Sequence, residues 1–291
     1  MTSANVALNV RAHRRRRVRR RFLRRPTAVV GLTGVVFVVA IGLLAPFLSP
    51  YDPATNDYTN LLASAFSPGH LFGTDELGRD ILSRLMAGAS TSLLAGLLAT
   101  LFALAVAVPI GLISGYYRGL LDTTIMRATD VILAFPFLVL AVGLAAIIGP
   151  SLGNAILALS LATIPSFLRI TRGEVLGLRG QEYVQAAIVN GAPDRVILFR
   201  HILPNLVSVL VVQASVTIPA LIIGEATLSF LGLGVQPPAA SWGTMLSSAQ
   251  NYIWQAPTLA LYPGIAIAIT TLSFNLLGDG LRDVLDPRSK K

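Results

Sequence analysis

The chain has 291 residues, of which 54% are hydrophobic and only 13% are charged. A soluble domain carries about 25% charged residues, and here the apolar residues are grouped into long uncharged runs. The composition excludes an ordinary soluble domain and predicts an all-α integral membrane protein. The absence of cysteine excludes disulfides, thiolate metal sites and thiol nucleophiles.

Residues 1–27 form a basic arm. Residues 1–25 hold ten arginines and no acid, so the rest of the chain, with a total net charge of +9, nets −1. We interpret the arm as a topogenic clamp that binds anionic membrane lipid at about 1 kcal/mol per arginine. A nucleic-acid-binding arm is the alternative, but Phe22 is its one aromatic residue and no folded partner domain follows. We therefore expect no nucleic-acid partner.

Six charge-free apolar runs follow, each close to the roughly 20 residues that a helix needs to cross a membrane. They are residues 28–48, 93–114, 131–149, 152–168, 206–223 and 257–277. Six transmembrane helices are therefore predicted, with the third and fourth joined as a tight hairpin. No Asp, Glu, Lys, Arg or His lies within these runs, although ion-coupled carriers and intramembrane proteases need such groups at depth.

The positive charges between the runs predict the orientation. With the N-terminus inside, the inner segments hold 21 basic residues and the outer segments hold only Arg79 and Arg84. This distribution predicts an N-in/C-in protein. The predicted divisions are a cytoplasmic arm at 1–27, the first transmembrane helix with an extracytoplasmic segment at 28–92, a five-helix core at 93–277 with a cytoplasmic coupling loop at 169–205, and a cytoplasmic tail at 278–291.

The extracytoplasmic segment carries turn chemistry and then a helix that starts near Asp80, with Arg84 one turn later. We interpret this helix as an interfacial one leading into the second span, with contact to an external partner as the alternative. Glu225 follows the fifth run by two residues. We expect an interfacial carboxylate that is bonded locally, and a role in gating or ligand contact is the alternative.

Polar side chains inside the runs are candidates for a translocation path. They include Gln213, Thr217 and Asn275. Such residues also form hydrogen bonds between membrane helices, so both interpretations stay open.

The sequence of the coupling loop predicts two short helices. The first ends at Gly191, which can adopt the left-handed conformation, and the second restarts at Pro193 and Asp194. Pro204 then restarts the chain into the fifth span.

Val196, Phe199 and Leu203 are predicted to form an apolar stripe beside Arg195 and Arg200. A helix of this kind fits a groove in a partner, and a loop folded back on its own bundle is the alternative.

The sequence QAAIVNGAPDRVILFRHILP resembles the EAA loop of permease subunits of bacterial ABC importers. The family pattern is Glu-Ala-Ala, three residues, Gly, nine residues, Ile, one residue, Leu-Pro. The matching positions are Ala186, Ala187, Gly191, Leu203 and Pro204. Two positions depart from the pattern, because Gln185 replaces the glutamate and His201 replaces the isoleucine.

Four further segments resemble the second permease of dipeptide and oligopeptide importers in the peptide/nickel branch. They are FGTDELGRDILSRL, MRATDVILAFP, EATLSFLGLGVQPPAASWGTML and FNLLGDGLRDVLDP. The resemblance implies a type I ABC importer permease in the bacterial cell membrane. It also implies a homologous permease, one or two ABC ATPase subunits and an extracytoplasmic binding protein as partners.

We therefore expect a non-catalytic subunit that forms half of a path for peptides, nickel chelates or similar small solutes. The only lysines are Lys290 and Lys291, so the chain has no ATP-binding P-loop of its own. ATP and Mg²⁺ would bind the ATPase subunits, and this chain would hold no cofactor or metal.

The expected ATPase-coupling residues are Gln185, Ala186, Ala187, Gly191, Asp194, Arg195, Phe199, Leu203 and Pro204. A stand-alone channel or ion-coupled carrier is the alternative, and an RNA-binding membrane scaffold is a third interpretation.

Overall fold

The computed structural model describes residues 22–285, and the predictions for residues 1–21 and 286–291 lie outside them. The described residues form helices and no named strand. The helices are α1 (Pro26–Leu48), α2 (Ile81–Tyr117), α3 (Gly119–Leu133), α4 (Phe137–Ile148), α5 (Leu152–Arg179), α6 (Glu182–Val189), α7 (Asp194–Val196), α8 (Leu203–Phe230), α9 (Trp242–Ala249) and α10 (Thr258–Leu285). A π-helical segment, Ile197–Ile202, joins α7 to α8, so Asp194–Phe230 is one continuous helix.

Five helices in the described part of the chain are long and apolar enough to cross a membrane. They are α1, α2, α5, α10 and the continuous helix Asp194–Phe230. A sixth span results if the bent pair α3–α4 is taken as one. The predicted class, an all-helical multi-pass membrane protein, is confirmed.

The third predicted span, residues 131–149, is wrong as a continuous helix. The chain bends by 89° between α3 and α4. Phe135 precedes Pro136, which disfavours the helical conformation at Phe135 and removes a backbone donor. With 12 residues, α4 is only about 18 Å long at 1.5 Å per residue. It is therefore too short to cross about 30 Å of hydrocarbon by itself.

Other helices continue well beyond their charge-free runs, because a helix satisfies its own backbone hydrogen bonds in water as well as in lipid. The second span starts at Ile81, and the fourth continues to Arg179. The predicted restart at Pro204 is wrong, since the helix runs through this residue. Pro204 cannot donate to the carbonyl of Arg200, and the π-helical segment immediately before it accommodates the missing bond.

The central helix of the bundle is α2, which packs against α1, α5 and α8. Small residues recur at every fourth position on its buried face: Ala95, Ala99, Ala103, Ala107, Gly111 and Gly115. Gly111 lies against Thr171 of α5 so closely that an added Cβ would be 2.7 Å from the threonine Cβ. Small residues of this kind allow membrane helices to approach one another.

The α1–α2 segment, residues 49–80, folds around buried charges. The Asp80 carboxylate accepts a hydrogen bond from the backbone N–H of Ser83 at 2.8 Å and caps α2. Asp75 pairs with Arg79 at 2.7 Å and with Arg84 at 3.3 Å. The predicted helix start near Asp80 is confirmed. The expected interfacial helix is the first part of α2 itself, not a separate element.

Candidate coupling surface and translocation cavity

The coupling segment, residues 180–204, has one face buried on its own bundle. Val184, Ile197 and Ile202 are at most 1% exposed. They pack in one cluster with Leu112 of α2 and Val175 of α5. The coupling segment is therefore firmly seated on the ends of α2 and α5.

The opposite face of the coupling segment is open. Phe199 is 64% exposed and Val189 is 84% exposed. Ala186 and Arg195 are exposed as well. Of the predicted apolar stripe, only Phe199 is fully on this face, since Val196 and Leu203 are partly buried.

Gly191 ends α6 as predicted. Its φ is +73°, a conformation that favours glycine. The N–H of Gly191 donates to the carbonyl of Ile188 at 2.9 Å, and that of Ala192 donates to Ala187 at 3.1 Å. This pair of bonds is a Schellman motif. No atom lies within 4 Å of the position that a Cβ would occupy, so glycine is favoured here by the backbone conformation and not by a close contact.

Asp194 links the coupling segment to α2. The hydroxyl of Tyr116 donates to its carboxylate at 2.7 Å, and the guanidinium of Arg179 lies 5.3 Å from the centre of the Tyr116 ring. Sequence reasoning assigned Asp194 to the helix N-terminus and the coupling residues but did not identify Tyr116.

Gln185 closes the end of α5. Its side-chain amide donates to the carbonyl of Arg179 at 2.7 Å. A glutamate, the residue of the family pattern, has no hydrogen to donate to this carbonyl when it is ionised. The departure from the pattern therefore has a structural use in this chain.

A bidentate ion pair fixes α3 to α5 beside the coupling segment. Arg172 donates two hydrogen bonds to Asp122, at 2.5 Å and 2.6 Å, and Ser114 of α2 donates a third at 2.5 Å. Arg169 pairs with Asp130 at 2.6 Å. Sequence reasoning used these arginines only for orientation. Two acids after the second span and two arginines after the fourth were the available signal.

A cavity of 440 Å³ lies between the α3–α4 bend, α5 and α8. Its polar lining consists of Thr163, Ser166, Gln213 and Thr217. The Gln213 amide is 3.3 Å from the Thr217 hydroxyl. The volume is within the range of small-molecule sites. Thr163 and Ser166 were not among the sequence candidates. Asn275 is exposed on α10 and does not line this cavity.

Glu225 is fully buried at 0% exposure, so this carboxylate lies inside the bundle and not on its surface. The charge-free run ended at residue 223, but α8 continues to Phe230 and carries Glu225 into the bundle. Ser229, one turn later, donates to the carboxyl at 2.6 Å, which confirms the expected local hydrogen bond. Ser92 of α2 donates to its other oxygen at 2.7 Å.

Together, the apolar helices, the polar cavity and the exposed coupling surface define a multi-pass membrane transport component. Residues 107–291 match the family model described as "Binding-protein-dependent transport system inner membrane component". Residues 14–65 match the "N-terminal TM domain of oligopeptide transport permease C".

Curated relatives match almost the whole chain. The glutathione transport system permease protein of Pectobacterium atrosepticum is 45% identical over 93% of this chain and 90% of its own length. The dipeptide transport system permease protein of Haemophilus influenzae is 42% identical over 91% of each chain. The corresponding dipeptide permease of Alkalihalophilus pseudofirmus is 42% identical over 90% of this chain and 86% of its own length.

The chain therefore belongs to the family of binding-protein-dependent transport system inner membrane components. It is a permease subunit of an ABC importer and a multi-pass protein of the bacterial inner membrane. Membership in this family implies ATPase and binding-protein partners. Nothing in the comparisons supports a stand-alone channel or carrier.

Proposed function

We propose that this permease pairs with a homologous permease to form the path of a peptide importer. The exposed face of the coupling segment would dock on a cytoplasmic ABC ATPase. One observation carries the docking proposal: the coupling segment buries Ile197 and Ile202 but leaves Phe199 open. The names of the relatives, which specify glutathione and dipeptides, support peptides as the substrate class.

The proposed orientation is based on the distribution of charge. With both termini in the cytoplasm, the coupling segment faces the ATPase and the α1–α2 segment faces the extracytoplasmic binding protein. The 21 basic residues on the inner side against two on the outer side support this orientation. The arginine-rich arm would then bind the anionic inner leaflet.

The proposed coupling residues fall into two groups, those that would contact the ATPase and those that would support the coupling segment. Ala186, Gly191, Arg195 and Phe199 are exposed and would touch the ATPase. Asp194 would transmit the movement through its bond to α2. The remaining proposed coupling residues would keep the segment in shape: Gln185, Ala187, Leu203 and Pro204.

The path would pass through the α3–α4 cavity, with Gln213 and Thr217 on one wall. Neutral amide and hydroxyl groups can hydrogen-bond peptide groups without holding them as tightly as a charge would. Asn275, on a different face of the bundle, remains a separate path candidate. ATP and Mg²⁺ would bind only the ATPase subunits, of one or two kinds.

The docking proposal is tested by Phe199→Ala in the purified importer complex. Phe37→Ala is the matched control, because Phe37 on α1 is 61% exposed and Phe199 is 64% exposed. An aromatic anchor contributes more than 1 kcal/mol to an interface, so we expect about tenfold less co-purified ATPase for Phe199→Ala. Normal ATPase recovery with Phe199→Ala, or equal loss with Phe37→Ala, would contradict the proposal.

A further inference from the structure

Two helices of equal length pack against each other in the bundle. Both α2 and the continuous helix Asp194–Phe230 contain 37 residues. Two side-chain hydrogen bonds tie them together, one from Tyr116 to Asp194 and one from Ser92 to Glu225. Ser92 and Tyr116 lie about 36 Å apart along α2 at 1.5 Å per residue. The two hydrogen bonds therefore lie far apart along both helices.

Close backbone packing lies next to the Glu225 tie. An added Cβ at Gly96 of α2 would be 2.7 Å from Ile222 Cγ1 and 3.3 Å from the Ile218 carbonyl. The two helices cannot separate or slide here without opening this contact, because protein interiors resist continuous deformation.

The Glu225 carboxyl also reaches a third element. Ser229, which donates to it, accepts a hydrogen bond from the N–H of Val235 at 3.0 Å, in the loop towards α9. Ser241, which caps α9, also lies near this carboxyl. The groups that face Glu225 from α2, α8 and the start of α9 are thus serine hydroxyls.

A buried carboxyl oxygen without a donor is costly, so the Ser92 hydroxyl is committed to Glu225. Removing that hydroxyl takes away the hydrogen bond that the Glu225 carboxyl accepts from α2. The link between α2 and α8 therefore depends on this hydroxyl, because Glu225 has no exposed surface through which bulk water could supply the lost donor.

We infer that Glu225 is a positioning residue that makes α2 and the helix Asp194–Phe230 one rigid body. This body would carry movement of the coupling segment to the α1–α2 segment, whose fold ends at the Asp80 cap of α2. The inference rests on the proposed function, since it takes the coupling segment as the ATPase contact.

The test uses spin labels in the purified importer complex. The chain contains no cysteine, so Leu98→Cys on α2 and Val207→Cys on α8 can be labelled as a pair at exposed positions. The label distance is measured without nucleotide and with ATP and vanadate. We expect the same distance distribution in both states. A nucleotide-dependent shift in the otherwise unchanged chain would overturn the inference, because the helices would then move separately.

Ser92→Ala is the decisive variant. Ser160→Ala is its control, since Ser160 is equally buried but bonds only the carbonyl of Ile156 in its own helix. We expect a shifted or broadened distance in Ser92→Ala and about two- to tenfold lower transport per ATP. The control should match the parent chain. An unchanged distance and unchanged transport in Ser92→Ala would overturn the inference.

Glu225→Gln separates hydrogen bonding from charge. Glutamine can keep both serine contacts, so this variant should behave as the parent chain, whereas Glu225→Ala should behave as Ser92→Ala. Equal defects in the Gln and Ala variants would refute the tie. ATPase co-purification, measured on the same samples, reports the proposed function separately: if ATPase binds normally while the ties prove irrelevant, only this inference fails.

Discussion

Replacing Gly191 separates the shape of the coupling segment from the surface that it exposes. The φ of +73° at this residue costs an L-amino acid roughly 1–2 kcal/mol. This penalty is small against a typical folding free energy of about 5–15 kcal/mol, so Gly191→Leu should still insert into the membrane. No atom lies within 4 Å of the new Cβ, so the leucine side chain would project from the exposed face.

We expect Gly191→Leu to uncouple ATP hydrolysis from uptake, because the projecting side chain obstructs the ATPase contact. Forcing extra methylene groups into a packed interface costs about 1–3 kcal/mol, which corresponds to at least about a fivefold loss of coupled uptake. The assay measures uptake and ATP hydrolysis by the reconstituted importer, with the amount of protein in the membrane fraction as the insertion control.

Two further substitutions distinguish the side chain from the backbone. Asparagine adopts positive φ more easily than alanine, but its side chain is larger. If obstruction is the cause, uptake should fall in the order Gly, Ala, Asn, Leu. If backbone strain is the cause, the asparagine variant should exceed the alanine variant. Normal uptake with Gly191→Leu would refute the reasoning altogether.

Three other variants give separate predictions. Arg172→Lys should lower the free energy of unfolding by about 1 kcal/mol, because lysine cannot reproduce both hydrogen bonds to Asp122. Thermal unfolding of the purified complex measures this change, and an unchanged unfolding midpoint would contradict the role of the bidentate pair. Gln185→Glu should speed backbone amide hydrogen exchange around the end of α5 by about two- to tenfold, because the side-chain amide that donates to the Arg179 carbonyl is lost. An unchanged exchange rate would contradict this role of Gln185. Gln213→Leu should reduce peptide uptake about tenfold with unchanged ATPase co-purification; normal uptake would remove Gln213 from the path.

Local signals in the sequence located several parts of the fold. Asp80 and Gly191 were identified as helix ends, since a cap involves only the residues beside it. Hydropathy alone does not predict the bend at Pro136, although a proline in an apolar run is itself a local signal. The candidate path was found only in part: Gln213 and Thr217 line the cavity, and Asn275 does not.

The sequence by itself determined that this chain is a multi-pass helical membrane protein, because long charge-free runs can be buried only in lipid or in a helical bundle. Its motifs also indicated the permease family. Only the tertiary structure decided that Glu225 is buried and that Ser92 is its partner. These two residues are 133 positions apart, and Arg172 is 50 positions from Asp122. Such pairings depend on which helices pack together, and neither partner's neighbours in the chain carry that information.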